Sequence, residues 1–124
     1  MTKVLITVGT ISMEAELNNS PTATKIQKTL PIQGTANTWG DEIYFEIPVE
    51  AAQEPDARAG VDVGELGYWP VGHAFCIFFG PTPASTDARP RAYSPVNVIG
   101  RVLGDATQFR AVRSGADVQI ERAD

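Results

Sequence analysis

Residues 72–83 read Gly-His-Ala-Phe-Cys-Ile-Phe-Phe-Gly-Pro-Thr-Pro, and the apolar run 74–79 inside this stretch decides the fold class. It is bounded by Gly72 and Gly80 and rich in aromatic and β-branched side chains, so it reads as a strand. Alternation along a strand puts Phe75, Ile77 and Phe79 on one face and Ala74, Cys76 and Phe78 on the other.

The same period-two pattern recurs outward in both directions. Toward the N-terminus, residues 42–49 place Ile43, Phe45, Ile47 and Val49 on one side and Tyr44, Glu46 and Pro48 on the other; the proline marks an edge or a strand end. Residues 3–8 and 11–17 alternate around Gly9-Thr10 and predict a hairpin. Between these strands, Ser20 caps and Pro21 opens one short helix over 21–30, with Ala23, Ile26, Gln27 and Leu30 at helical spacing and Pro31 as its stop. Residues 32–38 form a weak strand, and 50–62 and the proline-rich 80–95 read as surface loops. Toward the C-terminus, 96–103 is a strand, Asp105 caps a helical turn carrying Phe109 and Val112, and 116–122 alternates through Val118 and Ile120. The expectation is mainly β: seven or eight short strands, one short helix and a helical turn, as in a sandwich or a barrel.

The chain has 124 residues, which suits a single domain over 1–124 with one core. Its net charge is −5 and its basic residues are scattered, so a nucleic-acid partner is not expected. One cysteine excludes an intrachain disulfide. The N-terminal MTKVLITVGT lacks the layout of a signal peptide, and no apolar run approaches the roughly 20 residues a bilayer span requires. A cytoplasmic protein without a membrane partner is expected. One histidine and one cysteine are too few for a zinc site. No phosphate-binding loop, nucleophile elbow or HExxH is present, so neither a metal nor a cofactor is expected. The residues leave the oligomeric state open.

Four segments carry a family resemblance: Ser20-Pro21-Thr22-Ala23, NTWGDEIYFEIPV at 37–49, GHAFCIFFGPTP at 72–83 and VNVIGRVLGD at 96–105. Together they resemble the small prokaryotic cyclophilin-like domain family, whose function is unassigned. That resemblance implies a closed, eight-stranded antiparallel barrel plugged by helices. In such a barrel Phe75, Ile77 and Phe79 would fill the interior, and Ala74, Cys76 and Phe78 would line the outer groove where cyclophilins bind peptide. VIGRVLGD and GHAFCIFF also look like segments of true peptidyl-prolyl isomerases. The isomerase catalytic set does not follow: no arginine precedes Arg58, the comparable early strand offers Glu46, the glutamine and phenylalanine positions hold Ala74 and Cys76, and the pocket histidine and tryptophan fall at Val96 and near Arg91.

The candidate site residues are Trp39, Tyr44, Glu46, His73, Cys76 and Phe78. Trp39 lies in the polar turn 37–42, and Tyr68 and Trp69 are further aromatics near strand ends, suited to a stacking wall or to capping the barrel. Glu46, beside Tyr44, has the chemistry of a general acid or base and equally of a solvated surface carboxylate. His73, the sole histidine, fits a catalytic role or a turn. Cys76 fits a groove thiol or a packed, inert one. The leading expectation is a module that binds a small molecule or a peptide segment in an outer groove. The alternatives are a metabolic enzyme using Glu46, His73 or Cys76, and a weak prolyl isomerase.

Overall fold

The alternating runs become strands and the capped segment becomes a helix. The computed structural model describes every residue, Met1–Asp124. In chain order its elements are β1 (Thr2–Val8), β2 (Ile11–Leu17), α1 (Pro21–Thr29), β3 (Ile32–Thr35), β4 (Asn37–Thr38), β5 (Glu42–Glu46), β6 (Arg58–Gly60), β7 (Glu65–Trp69), β8 (Ala74–Phe78), β9 (Arg91–Val102) and β10 (Asp117–Arg122). Short 3-10 turns occupy Pro70–Gly72 and Ala106–Ala111. No helix is long and apolar enough to cross a membrane.

Helix α1 starts where its signals place it. Ser20 Oγ accepts the Ala23 N–H at 3.2 Å, and Pro21 takes the first position, where a missing N–H costs nothing. The Glu54 carboxylate accepts the Thr22 N–H at 3.1 Å, adding negative charge at the positive end of the helix. Ala23 and Ile26 bury the inner face. At the other end of the chain, Asp105 caps the second 3-10 turn through the Thr107 N–H at 3.0 Å.

The strands form one mainly β sheet in the order β3-β10-β1-β2-β9-β7-β8-β5-β4, with β6 paired to β9. All pairings are antiparallel. The expected closed barrel is not what the ladder forms, because the order has two ends, β3 and β4. Those ends are the two halves of one segment, divided at Ala36. Ala36 spends both backbone groups on the β10 side, donating to Ala116 O and accepting from Gly115 N at 2.8 Å each. The segment then changes partner from β10 to β5, so the covalent chain joins the sheet's ends and no ladder runs between them. The sheet curls enough that β3 passes over β5: a Cβ added to Gly34 would lie 3.0 Å from Phe45 Cδ2.

The core follows the alternation. Phe45, Phe75, Ile77, Phe79 and Phe109 join Val4, Ile6, Val8 and Ile26 in the main buried cluster. Phe45 and Phe75, directly paired across β5 and β8, stack with centroids 5.3 Å apart. The opposite face of β8 is covered as well: Ala74, Cys76 and Phe78 pack with Val61, Ala92 and Val96 in a second cluster. This cover comes from two stretches expected to be loops. Residues 58–60 of the 50–62 segment form β6, and the strand expected at 96–103 begins at Arg91. Pro95 sits inside β9, but the register between β6 and β9 shifts there, from Arg58↔Val96 to Gly60↔Arg91. A bulge of this kind tolerates a residue with no N–H to give to the ladder. Strand β5 ends at Glu46, short of the expected residue 49, because Pro48 cannot extend the ladder and Ile47 donates to His73 O instead, at 2.9 Å.

Candidate functional site

The site begins at the turn between β4 and β5. Trp39 N donates to Glu42 O at 2.9 Å and Glu42 N to Trp39 O at 3.2 Å, which leaves Gly40-Asp41 as a two-residue hairpin loop. Gly40 has φ +59°, as a type II′ turn requires of its first central residue. A Cβ there would also meet Pro83 Cδ at 2.8 Å. The turn sets Trp39 and Glu42 opposite each other, so their side chains share a face. Asp41 turns away to Arg110, its Oδ2 accepting from Nε at 3.1 Å.

Sheet register carries that face onward. Tyr44 lies opposite Cys76, and across β7 and β8 Gly67 lies opposite Cys76 and Trp69 opposite Ala74. Glu42, Tyr44, Cys76 and Trp69 therefore project to one side of the sheet. The irregular stretch of β9 brings Tyr93 to meet them. Its ring stands edge-on to Trp39, centroids 6.1 Å apart at 71°, and edge-on to Trp69 at 6.0 Å and 77°. Trp69 Nε1 donates to Ser94 Oγ at 2.6 Å and ties the bulge to β7. Tyr93 itself is 76% exposed.

These side chains enclose a cleft of about 160 Å³, with Ala92, Val96 and Cys76 completing its walls. Its one carboxylate is Glu42, only 6% exposed, whose Oε1 has no hydrogen-bond partner. No Lys, Arg or His lines the cleft. Burial pushes the Glu42 carboxyl from 4.5 up to about 7, with hydrogen bonding to the neighbouring Cys76 thiol pulling the other way. By geometry the thiol is directed at Ala74 O, at 3.8 Å; it lies close enough to the Glu42 carboxyl for the two to shift each other's titration, yet Oε1 has no partner in hydrogen-bond geometry. Burial first, and then the nearby Glu42 charge, push Cys76 well above the ordinary thiol range. The thiol stays protonated at neutral pH and is a poor nucleophile.

Of the six residues expected at the site, the fold gathers Trp39, Tyr44 and Cys76 at this cleft. Phe78 is fully buried in the second apolar cluster. Glu46 is exposed at the end of β5, outside the cleft lining. His73 is a turn residue: with φ +50° it closes the 3-10 turn Pro70–Gly72, its N–H directed at Pro70 O. Glu42, Trp69 and Tyr93 complete the site. Glu42 was legible one alternation step before Tyr44; Tyr93, in a segment read as loop, carried no such signal. No group of three His, Cys, Asp or Glu side chains gathers where it could hold a metal ion.

The sequence profile of the cyclophilin-like family matches residues 2–121. The solution structure of the hypothetical protein AF2241 from Archaeoglobus fulgidus is similar at 39% identity and TM-score 0.83, over 98% of this chain and 95% of that one. The structure of McbB in complex with tryptophan is similar at 16% identity and TM-score 0.69, over 96% of this chain and 44% of that one; the likeness is one of fold. No curated protein sequence matches the chain.

Proposed function

We propose that this chain, which belongs to the cyclophilin-like family, binds a small molecule in the cleft between Trp39, Trp69 and Tyr93, with Glu42 as the polar anchor. The observation that carries this reading is Glu42 Oε1, buried without a partner in an otherwise apolar cleft. Buried polar atoms are almost always hydrogen-bonded, and leaving one unpaired costs about 1–3 kcal/mol. A ligand that supplies the missing partner recovers that cost. Apolar walls with a few convergent polar groups are the usual make-up of small-molecule sites. The volume of about 160 Å³ suits a ligand of benzene size, which disfavours an extended peptide. McbB, with the same fold, has a structure in complex with tryptophan.

A thermal-shift screen of metabolites, followed by calorimetry, tests this. A true ligand at a hundredfold excess over its Kd stabilises by about 2.7 kcal/mol, a rise of several degrees in Tm. Trp39→Ala should abolish the shift, Glu42→Gln should reduce it, and Glu46→Gln should keep it. The reading fails if nothing stabilises the wild type, or if both cleft variants bind normally.

A second reading, an enzyme, is favoured by one observation: a carboxyl with a pKa of about 7 is matched to proton transfer at neutral pH. Turnover of an identified ligand that disappears in Glu42→Gln, while binding persists, would select it. A third reading, weak prolyl isomerisation, has against it that the positions matching the isomerase set hold other residues; a proline-containing reporter peptide should relax at its uncatalysed rate at high protein concentration.

A further inference from the structure

We propose that the ligand is a small alkylammonium ion, held with its cationic head inside the ring walls and an N–H donated to Glu42 Oε1. The inference rests on the cleft reading above and specifies the ligand's chemistry.

Three features select a cation with an N–H. The first is the walls. Trp39, Tyr44, Trp69 and Tyr93 supply four aromatic rings, and ring faces carry negative potential that attracts cations, most strongly when the cation is desolvated. Tyr93 meets both tryptophans nearly at right angles, at 71° and 77°. Rings so arranged form the corners of a box. A compact, roughly tetrahedral head touches several faces of a box, whereas a flat ring needs two parallel faces to stack between.

The second feature is the charge balance. Glu42 is the only carboxylate in the lining, and the other titratable groups there are Tyr44 on its own strand, Cys76 on β8 and Tyr93 on β9. The nearest acidic neighbour in sequence, Asp41, is turned away and paired with Arg110. No basic side chain lines the cleft, so a counter-charge for the ionised form of Glu42 would have to come from outside. An anionic ligand would meet repulsion from the ionised carboxylate, with no cationic side chain in the lining to offset it.

The third feature is the orphaned Oε1. A quaternary ammonium would balance the charge and leave this atom without a hydrogen bond. A protonated primary, secondary or tertiary amine supplies both charge and donor, and charge-assisted bonds of this kind are the stronger ones.

The test compares two probes of one shape: protonated dimethylaminoethanol and isoamyl alcohol, its uncharged counterpart with carbon in place of nitrogen. Calorimetry is run on the wild type and on Glu42→Gln and Trp39→Ala, about one pH unit above and below the Glu42 pKa of about 7. The wild type should bind the amine at least about tenfold more tightly than the alcohol at the higher pH, a difference of about 1.4 kcal/mol. The preference should shrink at the lower pH, where Glu42 is protonated, and amine binding near neutrality should release a proton. Glu42→Gln should lose the preference, and Trp39→Ala should lose binding of both probes. Equal or tighter binding of the alcohol by the wild type, abolished in Trp39→Ala, overturns the ammonium assignment and leaves the cleft as a binding site. Probe binding that survives Trp39→Ala overturns both. Binding of neither probe overturns the ammonium assignment, and the broader screen then decides the cleft on its own.

Discussion

Two buried polar sites in this small protein are built on opposite terms. At one, Asn97 is fully buried on β9 and every polar atom of its side chain is engaged: Nδ2 donates to Thr22 Oγ1 at 2.9 Å and to Ala52 O at 3.0 Å, and Oδ1 accepts the Glu54 N–H at 2.8 Å. Thr22 Oγ1 in turn donates to the Glu54 carboxylate. This network joins α1, the segment around 52–54 and β9. At the other, Glu42 is nearly as buried and Oε1 has nothing. A buried polar group with all its partners specifies one packing and strengthens the fold. A buried polar group without them is a standing cost, tolerated where something from outside completes it. The difference separates scaffold from candidate site more sharply than burial or residue type does.

The comparison is broken most severely by Asn97→Ala. It strands the Glu54 N–H and the Ala52 carbonyl and removes the bond that Thr22 Oγ1 accepts, and should cost about 3 kcal/mol or more, read as a lower urea midpoint with an unchanged slope.

Glu42→Gln should act in the opposite direction. An acid whose pKa is higher in the fold than in the unfolded chain binds its proton more tightly when folded, so stability falls as pH rises through the interval between the two values. For Glu42 that interval runs from 4.5 to about 7. Wild-type stability contributed by this group is therefore greatest below 4.5 and is lost toward pH 7, by on the order of 2–3 kcal/mol. The glutamine variant should lack this dependence and be more stable than the wild type above about pH 7. A wild type whose unfolding midpoint is flat over the interval would show that Glu42 finds a partner in solution.

Thr22→Val should cost about 1–2 kcal/mol, because it removes one link of the satisfied network while preserving shape. Ser94→Ala should cost less than about 1 kcal/mol in stability, since water replaces the lost partner of the half-buried Trp69 indole. Its effect should appear in ligand affinity, because Ser94 holds the bulge that presents Tyr93.

Much of the scaffold was written in local pattern. The β1–β2 hairpin, the Ser20-capped helix, the Asp105-capped turn and the inward set Phe75, Ile77 and Phe79 all follow from two periodicities and three kinds of punctuation. The site was legible only in part. Alternation correctly put Tyr44 and Cys76 on one face, and it put Glu46 and Phe78 there too. It could not tell that Phe78 is covered by Val61, Ala92 and Val96 or that Glu46 stays in solvent, because cover depends on segments distant in sequence. The prolines of 80–95 read as loop, which hid the start of β9 and with it Tyr93.

Sequence by itself determined that this is a mainly β chain of the cyclophilin-like family, and which residues of a strand share a face. Those properties depend on neighbours a few positions apart, where strand and helix geometry dictate direction. Only the tertiary structure decided that the sheet's ends are joined through Ala36 without a closing ladder, that a bulge in β9 swings Tyr93 between two tryptophans, and that Glu42 alone among the buried polar side chains lacks a partner. Each of these is a relation between segments far apart in the chain. A missing hydrogen bond in particular can be seen only once everything that might have supplied it has been placed.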